Sequence, residues 1–91
     1  MVPSEGYPAS VASSASNVQI LPASRFERRF TVYNDSTAIL YLLLSSQNAS
    51  TTAYTVQIAA GGYYECPFAY SGQVNGIWAS ANGNARITEV R

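Results

Sequence analysis

The sequence predicts an all-β domain: a small antiparallel β-sandwich or barrel, jelly-roll-like, of about seven strands behind a flexible N-terminal arm. Three observations carry this. Apolar residues recur at every second position in short runs such as Tyr54-Thr55-Val56-Gln57-Ile58. Clusters of Gly, Asn, Ser and Pro separate those runs at short, regular intervals. No stretch carries the i, i+3, i+4 spacing of an amphipathic helix.

The elements follow in order. Residues 1–16, MVPSEGYPASVASSAS, lack the periodicity of a strand and are too rich in Ser, Ala and Pro to bury a face. They are expected to form the arm, with Val2, Tyr7 and Val11 as anchors for a partner, and residues 17–91 form the single folded domain. Residues 17–21 make a first short strand. Next, Phe30 and Val32 share an apolar parity, with Arg28 on the same side; Arg28 is expected at the strand entrance, its stem packed and its head in water. Residues 30–33 and 38–44 flank Asn34-Asp35-Ser36-Thr37, which is turn chemistry and predicts a hairpin. Apolar residues at both parities of 38–44 predict an interior strand covered on both faces.

A second hairpin is expected from residues 52–58 and 62–66 across Ala59-Ala60-Gly61-Gly62, with Tyr54, Val56 and Ile58 inward. Val74, Gly76 and Trp78 share one parity of the next strand; Trp78 and Ile58 are expected in the core, and Gly76 marks a bulge or a close backbone approach. Asn82-Gly83 is a hairpin signal before the last strand, residues 85–90.

Composition narrows function. The 91 residues include 47% hydrophobic but only 11% charged side chains, with net charge zero. Ordinary soluble domains carry about 25% charged residues, so much of this surface is expected to be covered by other protein. The five basic residues are all Arg and are balanced by five acids, which gives no long-range attraction to nucleic acid or an anionic membrane. No apolar run reaches the roughly 20 residues of a membrane span. The single Cys66 forbids an internal disulfide, and without His there is no Cys–His pair or zinc set. Glu5, Glu27, Asp35, Glu65 and Glu89 are not spaced for paired acid–base work. The expectation is therefore no enzyme, no catalytic residue, no cofactor and no metal. Seven Tyr remain, six of them in or beside strands. Tyrosine serves protein interfaces and sugar platforms alike; Tyr41, Leu43, Tyr63 and Tyr64 join the arm residues as interface candidates.

One resemblance adds to this. Tyr33-Asn34-Asp35-Ser36-Thr37-Ala38, Leu40-Tyr41, residues 54–58, Gly62-Tyr63-Tyr64-Glu65, Gly76-Ile77-Trp78 and residues 83–89 together look like a group of small proteins encoded among the structural genes of tailed bacteriophages. The likeness spans about residues 17–90, and the arm lies outside it. It implies a virion protein made in a bacterial cytoplasm, and some small phage β-domains of this size are capsid decoration (cement) proteins that assemble as trimers. On this basis the expected partners are the major capsid protein or another virion protein and further copies of the chain, with no nucleic acid or membrane. The alternatives are a tail, neck or fibre component, or a glycan-binding module on the particle.

Overall fold

The computed structural model describes residues 5–25 and 27–90. Among these residues eight strands run β1 Gly6–Ala12, β2 Val18–Leu21, β3 Arg29–Asp35, β4 Leu40–Leu43, β5 Val56–Ile58, β6 Tyr63–Glu65, β7 Val74–Trp78 and β8 Asn84–Val90. They form two four-stranded antiparallel sheets, ordered β1-β8-β3-β6 (sheet A) and β2-β7-β4-β5 (sheet B), packed as a sandwich. The pairing is nested: β1 with β8, β2 with β7, β3 with β6 and β4 with β5, stitched together by β3·β8 and β4·β7. A long hairpin folded at the β4–β5 connection and rolled up gives this order, which is that of a jelly roll.

Period two chooses the faces, and the two inner faces meet. Phe30, Val32, Ala85 and Ile87 of sheet A pack on Ile20, Leu40, Leu42, Ile58, Val74 and Trp78 of sheet B. Trp78 and Ile58 are buried, as expected. Gly76 is a close approach: a Cβ there would lie 3.0 Å from Ile20 Cγ1 and 3.1 Å from Leu40 Cδ1. The bulge lies instead on the partner strand, between Gln19 and Leu21.

Three expected hairpins are corrected. β3 and β4, β5 and β6, and β7 and β8 each lie in opposite sheets. Of the seven connections only β4–β5 stays within one sheet. A short polar turn can lay a strand beside its predecessor or step it to the layer about 10 Å away, and turn chemistry alone does not distinguish these. At the first step the reason is visible in Asn34, which is no exposed turn residue. Its buried carboxamide donates to Ala38 O (2.8 Å) and Ile58 O (2.9 Å), while its Oδ1 accepts from Ser36 Oγ (2.7 Å) and Trp78 Nε1 (3.1 Å). An indole N–H only donates, so the orientation of the amide is determined.

The arm is corrected over Gly6–Ala12, which pairs in register with all of β8, from Gly6↔Val90 to Ala12↔Asn84. Every residue of β1 except the half-buried Val11 is exposed. Such a strand is held by its main chain, and main-chain pairing leaves no alternation in the sequence. Pro8 is tolerated because β1 is an edge. Val2 lies outside the described residues.

Arg28 is also corrected: its side chain is wholly buried. Nε donates to Glu89 Oε2 at 2.9 Å, Nη1 to Tyr70 O (2.7 Å) and Gly72 O (3.0 Å), and Nη2 to Pro22 O (2.8 Å). The guanidinium ties the β2–β3 and β6–β7 connections to β8, and the carboxylate and carbonyls replace its lost hydration.

Candidate interaction surface

The two outer faces of the sandwich differ in kind. The four strands of sheet B, and the whole β4–β5 connection, contain no Asp, Glu, Lys or Arg. Sheet A carries Arg29, Asp35, Glu65, Arg86 and Glu89 within its strands. The separation follows from the sequence, because residues 36–64 are without charge and supply both β4 and β5.

On the outer face of sheet B, Tyr41 sits in register between Ile77 and Gln57, and Leu43 lies opposite Asn75. The Tyr41 and Tyr54 rings are tilted at 57° with centroids 5.2 Å apart. Tyr54 Oη accepts a hydrogen bond from Gln57 Nε2 (2.7 Å), which fixes its ring across the face. Ile39, 38% exposed, extends the patch at one end. At the other end the β4–β5 connection folds over the sheet. Asn75 Nδ2 donates to Gln47 O (2.6 Å) and Ser45 O (3.2 Å), and Asn17 Oδ1 accepts from Ala49 N (2.7 Å). Those bonds bury Asn75 and Ala49. The result is an uncharged platform with tyrosine at its centre and a latched loop as its rim.

Across the outer face of sheet A runs the row Ser10, Arg86, Tyr33, Tyr63, one residue from each strand. Tyr63 is 61% and Tyr33 42% exposed. Arg86 donates to Asp35 Oδ2 (3.1 Å) and to Ser10 Oγ (2.7 Å), all at the surface. This face is wet and charged.

The interface candidates are thus not gathered in one place. Tyr41 and Leu43 share the sheet B platform, whereas Tyr63 stands on the opposite face. Val11 packs against the core, and Tyr7 is exposed on the edge strand. Tyr64, in register with buried Val32, also packs against the core, with its ring centroid 6.3 Å from that of Phe30. Burial raises the Tyr64 phenol above its ordinary value, and Cys66 adds to this through charge and a hydrogen bond. Ile39, Ile77 and Tyr54 complete the platform and are not among the interface candidates that the sequence offers. Tyr54 was expected inward; β5 begins only at Val56, so its alternation does not extend back to Tyr54. For Ile39 the parity with Tyr41 and Leu43 was available, but the neighbourhood of Ile77 depends on the β4·β7 pairing.

Among the described residues no three His, Cys, Asp or Glu side chains gather as a metal site. What the platform can do physically is bind another neutral protein surface. Docking there strands no charge, a penalty of several kcal/mol per ion where it occurs, and each 100 Å² of apolar surface removed from water contributes about 2.5 kcal/mol. No family model matches the chain, and no curated protein or solved structure matches it.

Proposed function

We propose that this protein is a structural component of a tailed-bacteriophage particle, a decoration protein that assembles as a trimer and stabilises the head through contacts with the major capsid protein. The observation that carries this reading is the charge-free outer face of sheet B, a surface suited to permanent cover by protein. Two further points support it: the resemblance of residues 17–90 to small phage structural proteins, and the jelly-roll order, which recurs in viral capsid and lectin domains. The second point is an analogy of fold, and fold alone does not assign function. Stabilisation needs no catalysis, because a protein that binds only the assembled shell shifts the equilibrium toward it.

The test is co-sedimentation with undecorated particles and a count of copies per purified particle. Hundreds of copies are expected; a handful would move the protein to the tail, neck or a fibre. Tyr41→Arg should weaken retention at least tenfold, and Tyr63→Arg, on the opposite face, should not. Equal retention of both variants overturns the assignment of the platform. A glycan-binding module is the second reading, favoured by the exposed Tyr33 and Tyr63 beside Arg86 and Asp35. Binding on a glycan array that is lost in Tyr63→Ala would establish it.

A further inference from the structure

We propose that β1 is an exchangeable strand: in the oligomer it leaves its own β8 and pairs with β8 of a neighbouring copy. The proposal rests on the self-association of the preceding reading and not on any contact with a particle.

Only β1 and the three-residue β6 contain no buried residue. Six of the seven β1 residues are exposed, and of the seven Val11 packs against the core. What holds β1 is the main-chain ladder to β8 over seven register positions. A neighbouring copy offers the same ladder with the same register and the same core beside Val11, so exchange re-forms those contacts between copies. The side-chain contact between strands transfers too, since Arg86 of whichever copy provides β8 meets Ser10 of whichever provides β1.

The link to β2 suits this. Residues 13–17 read Ser13-Ser14-Ala15-Ser16-Asn17, small and mostly polar and without Pro or charge. Extended, five residues reach about 16 Å. Two main-chain bonds hold the link closed, Ser13 N to Gly83 O (3.1 Å) and Trp78 N to Ser14 O (2.8 Å). The tether gives a strand's own β8 an effective concentration in the millimolar range, which favours the closed form in dilute solution. Copies held side by side in an oligomer meet the same concentration, and the two forms then compete on equal terms. A β1-to-β8 contact is head-to-tail, and three such contacts close a ring.

The experiment uses two full-length single variants, Ser10→Cys and Arg86→Cys, refolded together at about millimolar concentration without particles, then oxidised and weighed by mass spectrometry. Cys66 is buried. The expected product is the mixed disulfide dimer, at least fivefold more abundant than either homodimer. A mixed dimer no more abundant than the homodimers overturns the proposal. Deleting residues 14–16 gives a second readout, because the two remaining link residues cannot comfortably cross between sheets. The shortened chain should be obligately oligomeric, and a folded monomer would equally sink the idea. Sedimentation of the unmodified protein separates the two readings. A trimer whose double variant, Ser10→Cys with Arg86→Cys, closes only within single chains retains self-association and rejects exchange.

Discussion

Trp78 and Asn34 make a single unit. The indole fills the middle of the core, and its N–H satisfies the one buried oxygen of Asn34 that faces it. Trp78→Ala therefore removes the largest core side chain and one partner of a buried amide. We expect a loss of about 3–5 kcal/mol, against a total of roughly 5–10 kcal/mol for a domain of this size, so that thermal denaturation finds the variant at or near unfolding at room temperature. Tyr64 gives a test in pH. Its phenol is raised in the folded protein from an ordinary value of 10.0, so above about pH 10 the unfolded chain releases a proton that the folded chain keeps. Stability contributed by the neutral phenol is complete below pH 10 and is lost as pH rises toward the folded value. In Tyr64→Phe the alkaline fall in urea midpoint should be shallower than in the unmodified protein; parallel curves would contradict this. Parity in the sequence placed Trp78, Ile58, Phe30 and Val32 inside correctly, because facing inward is a property of a single strand. Asn34 and Arg28 were misplaced for a shared reason. A polar side chain is buried only when several distant groups supply its bonds, and Ile58, Glu89 and Gly72 are not near in sequence.

Among the elements, the strands were legible and their partners were not. Seven of the eight left an apolar trace, and β1 left none because it buries only part of Val11. The turns were found in the right places but assigned the wrong geometry, since reversal within a sheet and a step between sheets use the same residues. Gly83 shows what distinguishes the β7–β8 step. Its φ is 78°, and a Cβ there would collide with the carbonyl oxygen of Asp35 and lie 2.8 Å from Ser36 Cα. The turn is pressed against the backbone of the β3–β4 step beside it. Gly83→Ala combines left-handed strain with that clash and should cost about 2–3 kcal/mol, read as a lowered denaturant midpoint. By contrast Gly61, also left-handed at φ 72°, has open space around its would-be Cβ, and Gly61→Ala should cost about 1 kcal/mol. Equal losses at the two sites would show that strain alone matters.

At the scale of the molecule, the sandwich separates its charge by layer. Sheet A holds every charged strand residue, and sheet B presents tyrosine, isoleucine and leucine. The low charge content was plain in the composition; that the deficit falls on one face needed the nested pairing that brings β4 and β5 into one sheet with β2 and β7. An association through the sheet B platform should be nearly independent of sodium chloride between about 0.05 and 0.5 M, a range that screens exposed charges, and should tighten in sulfate, which strengthens apolar burial. Weakening by tenfold or more over that salt range, measured by sedimentation, would place the contact on the charged face of sheet A instead.

The nested order also has a consequence in time. β1 is the first strand to be synthesised and β8 the last, with 72 residues from Ala12 to Asn84. At about 5–20 residues per second, β1 emerges from the ribosome some 4–15 s before its own partner exists. During that interval an already finished copy nearby is the only chain carrying a β8 for it to find, so the choice between pairing at home and pairing abroad is first offered during translation.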